Sequence, residues 1–158
     1  MARKSTHSAA TLTVTTQEAL TLNNRDYGGY SSYTFSSIAN VDKRVETITT
    51  TEASIVTFST AMGPGQWIPA KVKYMRFTNL DDTNHIILTF ANENDDEFAI
   101  KLDAGQSFIM NGDNSGGMVD VMDAAATALS LSLGDMKSIT ADADSASCDM
   151  EIYVASVA

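Results

Sequence analysis

Few side chains in this chain could do chemistry. In 158 residues it carries two histidines, His7 and His85, and one cysteine, Cys148. A Ser-His-Asp arrangement would need His85 with partners that the sequence does not single out, and a two-histidine metal site would need His7 brought in from the N-terminal segment. One cysteine permits neither an intrachain disulfide nor a thiolate metal cluster from one copy. Cys148 falls on the apolar side of an alternating run, Cys148, Met150, Ile152 and Val154, and reads as an inert core thiol. No catalytic residue, cofactor site or metal site is expected, and the chain reads as a non-enzyme.

The acidic loops hold the oxygen ligands that calcium takes: Asp81-Asp82, residues 93–97 and Asp142-Ala143-Asp144. None follows the twelve-residue EF-hand spacing, and solvated turns are the expected reading. Neither Gly63-Pro64-Gly65 nor the loop of residues 112–117 is followed by the Lys-Ser/Thr of a phosphate cradle. Trp67, in the Pro/Gly-rich run Gly63-Pro64-Gly65-Gln66-Trp67-Ile68-Pro69, is a large amphipathic ring that suits either an interface anchor or a plug at the end of a sandwich.

Charge is unevenly placed. Residues 1–79 carry eight Lys/Arg against five Asp/Glu, and residues 80–158 carry two against fifteen, within a net charge of −10. An acidic half of that size repels phosphate backbones, so no nucleic-acid partner is expected. The first residues place Arg3 and Lys4 before a polar Ser/Thr-rich stretch rather than an apolar segment, so no signal peptide and no membrane span are expected.

The elements that must position these groups are strands. Period-two alternation between turn formers recurs along most of the chain. Strands are expected at residues 11–15, 30–38, 45–51 and 53–59, then at 71–79 and from Ile86 to Phe90 as a hairpin across Asp81-Asp82-Thr83-Asn84. Further strands follow at 98–102, at 106–110, and at 138–143 with 148–155 as a last hairpin. In residues 71–79, Lys73, Met75 and Phe77 are expected on one side and Val72, Tyr74 and Arg76 on the other. Residues 122–133 read either as a short helix or as a strand. The expected core is Ile86, Leu88, Phe90, Phe98, Ile100, Leu102, Met150, Ile152 and Val154. The fold class is all-β, a single β-sandwich or jelly roll over residues 25–158, with residues 1–24 as an extended N-terminal arm or first strand. Arg3, Lys4, Leu12 and Val14 suit an arm that adds as a strand to a neighbouring subunit, its basic tip approaching that subunit's acidic face.

Three stretches carry a family resemblance: Lys73-Tyr74-Met75-Arg76-Phe77-Thr78-Asn79-Leu80-Asp81, Lys101-Leu102-Asp103-Ala104-Gly105-Gln106-Ser107-Phe108, and Ser138-Ile139-Thr140-Ala141 with Glu151-Ile152-Tyr153-Val154-Ala155. They resemble small β-sandwich virion proteins of marine tailed bacteriophages. The resemblance implies a structural protein of the virion, assembled in the host cytoplasm. Foremost is a capsid decoration protein bound to the shell as a homo-oligomer, a trimer on the family pattern. Its partners would be capsid or other virion proteins. A tail, adaptor or fibre-base subunit is the alternative it leaves open. From another class, a calcium-dependent carbohydrate-binding module would also be an acidic β-sandwich with one prominent Trp.

Overall fold

The computed structural model describes residues 8–123 and 133–158. The Thr-, Val- and Ile-rich runs form strands, as residues that fit a pleated, half-buried surface do. Two five-stranded sheets face each other, with no α-helix among the described residues. The first sheet has the order β1 (Ala10–Glu18), β4 (Gly29–Ile48), β12 (Cys148–Val157), β7 (Val72–Asn79), β10 (Ser107–Asn111). The second has the order β6 (Gln66–Trp67), β5 (Ala53–Phe58), β11 (Met136–Ala143), β8 (Ile86–Asn92), β9 (Glu97–Leu102). A separate ribbon pairs β2 (Thr21–Leu22) with β3 (Arg25–Asp26), and a 3-10 turn occupies Pro69–Lys71. Pairing is antiparallel throughout, apart from the short parallel contact of β5 with β6. No helix among the described residues is long and apolar enough to cross a membrane.

The main core fills the space between the sheets. Met75, Phe77, Met150, Ile152 and Val154 come from the first sheet, and Val56, Ile86, Leu88, Phe90 and Ile139 from the second. All ten are fully buried, each contributing on the order of 1.5–3 kcal/mol by leaving water. Phe77 and Phe90 meet edge to face across the core at 6.3 Å, and Phe90 stacks on Phe98 at 4.8 Å. The all-β sandwich and the core follow the sequence pattern. Phe98 and Ile100 are only half-buried, because β9 is an edge strand that closes one side of the core.

Four sequence expectations change. Residues 71–79 and 86–90 are not a hairpin: β7 and β8 lie in opposite sheets, and the turn between them is an arch. The last two strands, β11 and β12, likewise belong to different sheets. Alternation reports which side of a strand is buried and is blind to whether the next strand pairs beside it or faces it across the core. The hairpin in this region is β8 with β9, joined by residues 93–96 with Glu93 and Asn94 at the turn.

Residues 30–38 and 45–51 are not separate strands either. Both belong to the 20-residue β4, whose first half pairs with β1 and whose second half pairs with β12. In β7, a register shift opposite Ala155/Ser156 resets the alternation. Val72 consequently joins Met75 and Phe77 in the main core, while Lys73 leaves that set. The expected helix or strand at 122–133 lies, for residues 124–132, outside the described residues.

Candidate interaction surface

β1 and the first half of β4 form a long hairpin that leaves the sandwich. Its base is fixed by side chains. Leu12 stands opposite Phe35 and Val14 opposite Tyr33, and this face packs on Tyr74, Tyr153 and Ala155 of the outer face of the first sheet. The rings form a chain: Tyr33 to Phe35 at 5.5 Å, Phe35 to Tyr74 at 6.3 Å, and Tyr74 to Tyr153 at 5.6 Å. Burial pushes the Tyr74 phenol above its ordinary pKa, and the Tyr33 hydroxyl donates to Asn111 Oδ1 at 2.8 Å. A second, smaller core therefore clamps the hairpin base.

Beyond Val14 and Tyr33 nothing lies beneath the hairpin. Every residue from 15 to 32 is exposed, including the apolar Leu20, Leu22, Tyr27 and Tyr30, the last with 79% of its surface open. The tip is locally well specified. Asn23 and Asn24 both take positive φ, 51° and 59°, the backbone of a two-residue turn matched to the strand twist. The Gly28 N–H donates to Asp26 Oδ1 at 2.8 Å, and a Cβ on Gly28 would sit 2.7 Å from the Glu18 carbonyl oxygen, so only glycine fits. A two-stranded ribbon without a core is marginal in water, and this one exposes four large apolar side chains, which makes it the candidate surface. β1 is also the edge of its sheet. It has nine residues and no Lys, Arg or Pro to guard them, whereas β9 at the edge of the second sheet carries Glu97 and Lys101.

Leu12 and Val14 are thus brought together, as half-buried residues of the chain's own first sheet rather than of a free arm. Arg3 and Lys4 lie outside the described residues. Of the two readings of Trp67, interface anchor or plug, the structure shows the buried one: it is 6% exposed and packs in the main core, where β6 pairs it with Phe58. Its indole N–H is the one buried side-chain donor without a partner among the described residues. The residues that sequence reasoning missed are Leu20, Leu22, Tyr27 and Tyr30. The signal that could have found them is Asn23-Asn24 between apolar positions, a two-residue hairpin turn.

Two loop aspartates hold their own turns. The Asp81 carboxylate accepts the backbone N–H groups of Asn84 and Thr83, and Asp113 accepts the N–H and hydroxyl of Ser115 with the N–H of Gly116. These bonds hold both carboxyls below the ordinary aspartate range. Among the described residues no three His, Cys, Asp or Glu side chains converge as a metal ion would require. Burial raises the Cys148 thiol, which disfavours the thiolate a nucleophile needs. The opposite charges of the two halves are partly satisfied within the chain, because Lys43 and Arg76 both pair with Glu151. Comparison with family models, curated proteins and solved structures gives no match to this chain.

Proposed function

We propose that this chain is a non-catalytic structural subunit of a virion, a capsid decoration protein of a tailed bacteriophage, which binds its shell as a homo-oligomer and docks through the β1–β4 hairpin. The observation that carries the reading is the hairpin itself: residues 15–32 are exposed on both faces and display Leu20, Leu22, Tyr27 and Tyr30 with no core of their own. Covering such a ribbon supplies main-chain hydrogen bonds along an edge and apolar contact at its tip, the two parts of strand-based recognition. The resemblance of Lys73–Asp81, Lys101–Phe108 and the last two strands to small virion proteins of marine tailed bacteriophages names the kind of assembly.

The test removes the hairpin without touching its anchor. Joining Thr15 to Ser32 through an Asn-Gly turn deletes the exposed part and keeps Leu12, Val14, Tyr33 and Phe35 in place. The shortened protein should fold with its thermal transition retained and should no longer occupy particles, as quantified by mass spectrometry of purified virions. A copy number matching capsid symmetry supports the decoration reading, and a few copies per particle would move the subunit to the tail, adaptor or fibre base. Undiminished occupancy of the shortened protein would overturn the hairpin as the docking element.

A further inference from the structure

Three irregularities of the first sheet converge on one place. β4 bulges where Ser37 takes a left-handed φ of 62°, and its pairing with β1 skips between Ile38 and Phe35. β12 shifts register at Ser156/Val157 against β4 and at Ala155/Ser156 against β7. All border a recess of about 510 Å³ lined by Thr34, Ser36, Ser37, Lys73, Asn114 and Ser115, among others. Bulges re-aim side chains and gather beside functional sites, and a non-glycine residue held at positive φ is kept only where its surroundings enforce it.

The shift in β7 is what turns Lys73 away from the main core. The residue is 5% exposed, and its ammonium donates to the carbonyl oxygens of Asp113 (3.0 Å) and Asn114 (3.1 Å). Those two bonds leave a third N–H. No Asp or Glu side chain lines the recess. The Asp113 carboxylate attracts the Lys73 charge through space but makes its hydrogen bonds to Ser115 and Gly116 and none to the ammonium. A buried ammonium is costly unless an anion or a full set of acceptors compensates it. Here the acceptors are two neutral carbonyls, beside the hydroxyls of Thr34, Ser36 and Ser37 and the Asn114 amide, which can donate.

The geometry points to this recess as a binding site for a small oxyanion, a carboxylate or phosphate group, held by the Lys73 ammonium and the hydroxyls of Thr34, Ser36 and Ser37. The net charge of −10 opposes an extended polyanion more than a single small anion, which meets only the local charge of the recess. The inference does not rest on the exposed residues 15–32 or on their partner, although Thr34, Ser36 and Ser37 belong to the hairpin base.

The experiment is an NMR titration of backbone amides in the full chain with sodium phosphate and, separately, sodium acetate, each against sodium chloride at matched ionic strength. Saturable shifts at Ser36, Ser37, Asn114 and Ser115 are expected for phosphate, acetate or both, and the tighter titrant assigns a tetrahedral or a planar group. Lys73→Gln should weaken binding about tenfold or more, and Lys73→Arg should retain it, since charge-assisted bonds carry the affinity. If Lys73→Gln does not fold, the wild-type titration and Lys73→Arg decide. No saturation by about 10 mM, equal shifts with chloride, or unchanged affinity in a folded Lys73→Gln would each overturn the site.

Discussion

Phe35 sets its ring 6.3 Å from that of Tyr74, although no ladder pair joins the two strands that carry them. The hairpin is tied to the sandwich by side chains at this point, while its backbone continues out of the sheet. Phe35→Ala should cost about 3 kcal/mol, the low end for a buried phenylalanine, because the cluster it leaves is small. Hydrogen exchange should then quicken at the amides of β1 and the first half of β4 and stay slow in β8 and β11. Unchanged protection in the hairpin would mean that the aromatic clamp does not hold it.

Gly28 and Gly29 make an internal control. Gly28→Ala drives a methyl group toward the Glu18 carbonyl, whereas a methyl on Gly29 meets nothing within 4 Å. The first should disturb the β2–β3 ribbon, read from the NMR shifts of Thr21, Leu22, Arg25 and Asp26. Its global cost should be about 1 kcal/mol or less, since no core lies beneath. The second should leave both unchanged.

Trp67 buries a donor without an acceptor. Trp67→Phe removes that donor and keeps most of the ring, so urea denaturation should find it within about 1 kcal/mol of the parent. Trp67→Ala empties the site and should cost about 3–5 kcal/mol. A large loss for Trp67→Phe would show that the indole N–H has a partner in solution.

Acid should act through two turns. Asp81 and Asp113 have depressed pKa values in the folded chain, so the unfolded chain takes up protons first as pH falls. Their contribution is complete above the ordinary aspartate value, about pH 4, and is lost as pH drops through the lower folded values. The double variant Asp81→Asn, Asp113→Asn should melt lower at neutral pH and show a flatter decline below about pH 4. An acid limb identical to the parent's would mean that other carboxylates set it.

Burial was legible in the sequence where alternation was strict. Cys148, Met150, Ile152 and Val154 point inward as their spacing requires, and so do Ile86, Leu88 and Phe90. Connectivity was not. Whether residues 138–143 and 148–155 pair or face each other depends on the four residues between them, and either arrangement buries the same side chains. The 20-residue β4 was obscured because residues 39–47 bury no apolar side chain, so the rhythm breaks between Ile38 and Ile48. The re-aiming of Lys73 arises from a register shift set by β12, some eighty residues away, which no local pattern encodes. The hairpin tip was the recoverable omission, because Asn23-Asn24 is a local signal.

β11 and β12, the last two strands in chain order, are the middle strands of the two sheets. Each sheet can close only once its own middle strand has been synthesised, and the partners lie up to about 120 residues earlier in the chain. Such non-local pairing makes folding slow. While synthesis proceeds, β4, β7, β5 and β8 wait with an edge open, four unpaired templates on one nascent chain. Folding yield should therefore be limited by how well neighbouring nascent chains are kept apart, and an early stop before β12 would leave an aggregating fragment rather than a smaller domain.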